Sequence, residues 1–325
     1  MSQNQCGTIR LYGCGGLGVN IVSYFEPATG QAEAGHATAY PCYVDTSRSN
    51  IDSNLNDNNI FIVDGLDGSG KVRRENHEEI SKNIRSVIQT HAPMDFNVVV
   101  FSASGGSGSV IGPLIIAELL ARKLPVVGIV VGSDESTITA NNTINTLKSL
   151  EAIAQKAQMP VVISYDQNQV DVKRSEIDTA CRRLIGMLSI LASRRNRELD
   201  TKDVANWIQF HRTTSVQPRL ALLDIYTTND EVETISAPIS IASLYRNPDS
   251  PAIRVTPEYH CAGYPREEIQ GFEVAHYVVT IDHVAAISRT MQQRLVELDQ
   301  QRKSRLAVDK LVSDNDEVSD DGLVF

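Results

Sequence analysis

Along the first half of the chain, short apolar runs alternate with stretches in which apolar side chains recur every three or four positions. Residues 8–12, 38–44, 60–63, 97–101, 125–131 and 161–165 read as strands, several of them rich in Val and Ile. Between them, 17–25 starts as a helix and 76–90 sets Ile80, Ile84, Val87 and Ile88 on one helical face. Residues 112–122 read as a predominantly apolar helix, and 143–157 repeats Ile144, Leu147, Leu150, Ile153 and Ala154 at helical spacing. This rhythm predicts an α/β fold: a Rossmann-like parallel sheet with helices on both faces. Sheets of this kind bind ligands beyond the carboxyl ends of their strands, where this chain places glycine clusters.

The second half reads differently. Residues 175–195 form one long helical pattern with Ile177, Cys181, Leu184, Ile185, Leu188 and Leu191 on a stripe. Strand-like runs follow at 220–226, 239–244 and 276–281 among frequent turn residues, which predicts a smaller mixed α/β region. Residues 284–311 continue as a long helix, increasingly charged. The segment 313–322 carries acidic side chains and no basic one, too little apolar surface to fold alone.

Composition narrows the function classes. With 325 residues, 42% of them hydrophobic, the chain has material for about two domains. A net charge of −10 lowers the expectation of direct nucleic-acid binding, because that binding is driven by cationic neutralisation of phosphates. No apolar run is long enough to span a bilayer, and 1–10 lack a signal-peptide core, so no membrane partner is expected. The five cysteines and seven histidines are scattered without metal-ligand spacing, which reads as reduced thiols in a cytoplasm and no structural zinc.

Three glycine-rich segments carry the candidate chemistry. In Gly13-Cys14-Gly15-Gly16-Leu17-Gly18, the glycines at 13, 15 and 18 match the dinucleotide-binding spacing, and Asp45 at the end of the second strand could take ribose hydroxyls. An NAD-dependent oxidoreductase is therefore one reading, and a tight strand-to-helix turn another. Gly65-Leu66-Asp67-Gly68-Ser69-Gly70-Lys71-Val72 falls one residue short of a P-loop: Val72 stands where Ser or Thr must hold magnesium. It is a loop near phosphate or a plain surface loop. The third segment, Ser104-Gly105-Gly106-Ser107-Gly108-Ser109, lies between an apolar strand and an apolar helix, where flexible linkers do not sit. Its backbone N–H groups, the helix N-terminus and the hydroxyls of Ser107 and Ser109 suit two or three phosphate groups.

This last loop resembles the signature loop of the tubulins and FtsZ, Gly-Gly-Gly-Thr-Gly-Ser/Thr-Gly, with Ser104 at the first Gly, Ser107 at the Thr and Val110 at the last Gly. The order of the other loops is similar too, with Asn20 behind the first and Asp45 after the second strand. The short second region and the acidic end Asp320-Asp321-Gly322-Leu323-Val324-Phe325 resemble the bacteriophage tubulins of the PhuZ type more than FtsZ or eukaryotic tubulin. The resemblance implies GTP and GDP as ligands, with Mg2+, and a division into a GTP-binding domain (1–174), a central helix (175–199), a second, activation domain (200–282) and a C-terminal helix with acidic tail (283–325). It implies that Gly15 and Gly16 bind the α- and β-phosphates alongside the signature loop and that Asn20 reaches towards guanine. Gly68, Ser69 and Gly70 would meet the γ-phosphate, and Glu135 would hold the ribose. Asp178 would accept from guanine N1–H and its 2-amino group; an acidic residue near a helix start is also common on a solvated face.

FtsZ reads Asn-Leu-Asp-x-x-Asp-Val after its central helix, and this chain reads Glu198-Leu199-Asp200-Thr201-Lys202-Asp203-Val204. The match implies that Asp200 and Asp203 activate water for GTP held by a neighbouring subunit. Without it, Asp200 reads as an ordinary helix cap. A site completed by a neighbour implies a head-to-tail filament, and the resemblance to the phage tubulins implies a spindle-like polymer positioning phage DNA in the host cytoplasm. The acidic tail would strap onto a neighbour's Arg182, Arg183, Arg194, Arg195 or Arg197, or else stay solvated. A tubulin-like scaffold that binds nucleotide without turnover is the further alternative.

Overall fold

The computed structural model describes residues 6–31, 33–169 and 172–306. Six strands, β1 (Thr8–Cys14), β2 (Thr38–Asp45), β3 (Ile60–Ile62), β4 (Phe96–Ser102), β5 (Val126–Ser133) and β6 (Val161–Asn168), pair in parallel. They alternate with α1 (Gly15–Ser23), α2 (His77–Thr90), α3 (Gly108–Ala121) and α4 (Thr137–Ala157). The central strands are apolar on both faces because both are covered. Val98 and Val100 face a core shared with Val19 and Val22 of α1, whereas Val99 and Phe101 face Ile80 of α2, Ile115 of α3 and Leu150 of α4.

The long helix α5 (Arg174–Leu191) lies on the α1 face through Ile177, Cys181, Ile185 and Leu188. After it come β7 (Asn196–Arg197), α6 (Thr201–Ile208), β8 (Leu220–Tyr226), α7 (Asn229–Glu233), β9 (Ser240–Tyr245), β10 (Tyr259–Pro265), β11 (Val274–Thr280) and α8 (Asp282–Leu306). These later strands join the parallel sheet rather than forming a separate one, in the order β3-β2-β1-β4-β5-β6-β8-β11-β9-β10-β7. The seam is short: Val161, Val162 and Ile163 pair with Leu220, Ala221 and Leu222. Those six side chains are buried, and pairing stops where β6 turns polar at Ser164.

Several boundaries differ from the sequence expectation. Helix α4 begins at Thr137, not 143, because Ser136 and Thr139 form a reciprocal capping box in a polar stretch that carries no apolar period. Helix α3 begins at Gly108 rather than 112, its glycine and serine start resembling a loop. Helix α5 spans Arg174–Leu191 instead of 175–195. Strand β10 was not visible in the pattern; it is partly exposed, with little apolar alternation. Helix α8 docks on α4 through Met291 against Ala140 and Ile144. The acidic tail lies outside the described residues.

Trp207, the chain's single tryptophan, is fully buried; its Nε1 donates to Tyr277 O at 3.0 Å and its ring meets that of Tyr277 edge-on. Trp207→Ala is expected to cost roughly 3–5 kcal/mol, read as a lower thermal midpoint by circular dichroism.

On the outer face of this region, His276 is bonded to Ser243 Oγ at 2.9 Å and Asn229 Oδ1 at 2.9 Å, and burial lowers its pKa to about 4 from 6.5. His91 is lowered to about 4 likewise, mainly by burial. The unfolded chain therefore takes up these protons first. Their contribution to stability is complete above pH 6.5 and declines as pH falls towards about 4. The thermal midpoint of His276→Gln is expected to fall less than that of the wild type across this window; equal slopes would remove His276 as a cause.

Candidate functional site

Strands β1 and β4 are parallel neighbours, so their carboxyl ends lie side by side and release α1 and α3 from one edge of the sheet. Two helix N-termini thus converge, each with free backbone N–H groups and a positive dipole end. The loops touch through glycine. Gly15 has a left-handed φ of +68°, and a Cβ on it would lie 2.8 Å from Gly108 N; a Cβ on Gly108 would lie 2.7 Å from Cys14 O. Any side chain at either position forces the loops apart.

The segment 65–72 closes the third side. Gly65, Gly68 and Gly70 have positive φ, and no helix follows directly, since α2 starts only at His77. Ser107 Oγ sits between Thr46 Oγ1 at 2.6 Å and Ser69 Oγ at 3.0 Å. Asn76 Nδ2 donates to Gly68 O at 2.5 Å, and Asn142 Nδ2 donates to both Lys71 O and Ser104 O, at 2.9 and 3.1 Å. The open cavity between these loops, about 320 Å³, is lined by Gly15, Gly16, Asp45, Gly68, Ser69, Gly70 and Gly105 to Gly108 among others. Asp45 is buried at this end and its carboxyl pKa is raised, chiefly by desolvation, against hydrogen bonds from Asn50 and Thr46.

A second cavity of about 640 Å³ adjoins it, sharing Gly16, Leu17, Asn50, Ser102 and Gly105. Its walls hold Asn20, Ser104, Glu135, Arg174 and Asp178. Asn20 Nδ2 donates to Asp178 Oδ2 at 2.8 Å, and Arg174 donates to both Glu135 oxygens at 2.9 and 3.2 Å. The two cavities form one trench, a polar groove with a glycine cradle at one end and amide and carboxylate groups at the other. Backbone N–H groups suited to anions beside carboxylates that can accept from paired N–H donors make a groove chemically compatible with a guanine nucleotide.

All the residues expected at a nucleotide site line this trench except Ser109. Its hydroxyl is fully buried and donates to Gly105 O at 2.6 Å and Gly106 O at 3.0 Å, so it braces the loop instead of facing a ligand. Sequence reading passed over Ser47, Asn50, Asp67, Lys71, Ser102 and Arg174 as site residues. Asp67 and Lys71 lie inside the glycine-rich segment 65–72; Asn50 and Ser102 carry no pattern of their own.

Asp200 and Asp203 are elsewhere. Asp200 caps α6, accepting from Lys202 N at 2.7 Å and Asp203 N at 3.0 Å through one oxygen, while Asp203 accepts from Asp200 N at 2.9 Å and from Tyr259 OH at 3.3 Å. Asp200 shares a small cavity with Asp95, Phe96 and Pro125, at the amino ends of β4 and β5. At about 3.3 Å per residue, the strands hold it on the order of 20 Å from the cradle. Among the described residues, no group of three or more His, Cys, Asp or Glu is arranged to hold a metal, and no helix is long and apolar enough to cross a membrane.

Gly106 packs directly against Ser69, whose hydroxyl would overlap a Cβ placed there. Gly106→Ala is therefore expected to push the 65–72 loop outward and to accelerate amide exchange across 66–74; unchanged exchange would mean the loops are not interlocked.

The family model for the tubulin/FtsZ family GTPase domain matches residues 8–169, and that for the C-terminal domain of phage tubulin-like proteins matches 199–282. The phage tubulin-like protein of Pseudomonas phage 201phi2-1 is 30% identical over 315 residues, 95% of this chain and 96% of the relative. A solved protofilament of TubZ from bacteriophage PhiKZ superposes with a TM-score of 0.86 at 29% identity, covering 98% of this chain and 99% of that one. The phage tubulin PhuZ with GDP superposes with a TM-score of 0.84 at 28% identity, covering 98% and 99%.

Proposed function

The chain belongs to the tubulin/FtsZ family, among its phage tubulin-like members, and from that premise we propose that it binds GTP, assembles head to tail and hydrolyses the nucleotide at the junction. One observation carries the proposal: the cradle and the acid pair sit at opposite ends of the same parallel strands, on the order of 20 Å apart. Neither end holds a complete hydrolytic site, and stacking one subunit on the next would join them. The contact is heterologous and does not close, so it propagates as a filament. An oxidoreductase reading of the first glycine loop falls away with the family assignment.

In this reading, Gly15, Gly16 and 105–108 hold the α- and β-phosphates by backbone N–H donation, and Gly68, Ser69 and Gly70 meet the γ-phosphate. Glu135 leaves Arg174 to take the ribose hydroxyls. Asp178 exchanges its bond to Asn20 for the N1–H and 2-amino group of guanine, a donor pair that adenine lacks. Asp45 and Asp67 are the carboxylates at the phosphate end, hard oxygen donors suited to Mg2+, which would neutralise charge on the phosphates. From the next subunit, Asp200 offers its free carboxylate oxygen to orient the attacking water, while Asp203, bonded to Tyr259 and to Asp200 N, holds that loop in place. Loss of the γ-phosphate would weaken the junction, giving a dynamic polymer. A spindle that positions phage DNA in the host cytoplasm is the role that fits such a polymer in a phage tubulin.

The acidic tail is proposed as a strap to a neighbour. Of the arginines suggested for it, Arg194 and Arg195 are already paired with Asp95 and Glu267, and Arg182 and Arg197 lie over Tyr24 and Tyr264. Arg183 lies in a cleft with Asp166, and Arg182, Arg183 and Arg197 stay candidates.

Light scattering and phosphate release test the assignment. Wild type is expected to polymerise with GTP and not ATP, and Asp200→Ala to form longer-lived polymer with phosphate release reduced roughly 100-fold or more. Polymer without phosphate release from either protein would indicate a scaffold. Deleting 314–325 is expected to abolish assembly with nucleotide binding intact; normal assembly would remove the strap.

A further inference from the structure

We propose that Lys71 binds the γ-phosphate and so distinguishes the triphosphate from the diphosphate state. The inference rests on the guanine-nucleotide reading of the trench and adds a side chain to it.

Asp45, Asp67, Glu135 and Asp178 line the trench, against only two cations, Lys71 and Arg174. Arg174 is bonded to both oxygens of Glu135. Lys71 has no ion pair among the described residues and is exposed to the trench. A triphosphate adds several negative charges to a groove already lined with carboxylates. Helix N-termini and backbone N–H groups supply only partial positive charge at the α- and β-phosphates. The outermost phosphate carries the most charge and lies furthest from those termini, so a mobile full cation there has the largest effect.

Position supports the same role. Lys71 has φ +66°, a left-handed conformation that glycine adopts freely and lysine does not. Asn142 holds it there, its amide bridging Lys71 O and Ser104 O and tying this loop to the cradle. The result is close approach: a Cβ on Gly106 would come 3.2 Å from Lys71 Cα. Lys71 lines the cavity that adjoins the cradle, and three N–H donors on a flexible tip suit a phosphate treated as a point charge.

The test is equilibrium binding of GDP and GTPγS to the full chain, at subunit concentrations where light scattering shows no polymer, for wild type, Lys71→Met and Lys71→Arg. Losing one charge-assisted contact should weaken GTPγS binding roughly 10- to 100-fold in Lys71→Met and change GDP binding less than about twofold, with Lys71→Arg restoring most of the difference. GDP binding serves as the control for folding. Equal weakening of both nucleotides, or no change in either, would overturn the assignment of Lys71 while the guanine-nucleotide reading stands. Failure of the wild type to bind either nucleotide would overturn that reading and this proposal with it.

Discussion

The structure depends on the contact between Gly15 and Gly108. Two parallel strands deliver two helices from the same edge, and backbone meets backbone where the helices begin. Only residues without Cβ permit that approach, and it directs two sets of free N–H groups at one point. From there outward each feature has a place: Ser107 links the cradle to Thr46 and Ser69, Asn142 ties the 65–72 loop to Ser104, and Asn20 meets Asp178 at the other end of the trench.

The sheet gives this arrangement a direction. Because β1, β4, β5 and β6 are parallel, one end of the subunit gathers helix N-termini and the other gathers the amino ends of strands, beside which Asp200 caps α6. The same polarity that creates an anion site excludes the acid pair from it. A capping box fixes both carboxylates through backbone N–H bonds, which explains how local stability and a proposed catalytic role can share two residues. The second region is anchored by only three paired residues on each side of the β6–β8 seam, yet it shares a continuous core with α5 through Trp207, Tyr277 and Leu188.

Much of the fold was legible because burial on both faces writes itself as uninterrupted Val and Ile. Strand β8 matched its expected range to the residue, and the helix stripe of α2 matched within one position. What escaped was polar or partly exposed: the first turn of α4, held by Ser136, and strand β10. The trench was legible as far as glycine spacing and family resemblance reached, including Asn20 and Asp178, which meet although 158 positions apart. Asn50, Ser102 and Arg174 were not, since they become site residues only through folding. Ser109 shows the opposite error, a hydroxyl that the sequence offers to a ligand and the fold turns back onto its own loop.

The central claim is that the hydrolytic site is shared between subunits, and complementation tests it most directly. Phosphate release from GTP would be measured for Asp200→Ala alone, for Gly106→Ala alone and for an equal mixture of the two. The account predicts little release from either protein and clear release from the mixture, where an intact cradle meets an intact acid loop. A mixture as silent as its components, or full activity from Asp200→Ala alone, would contradict it.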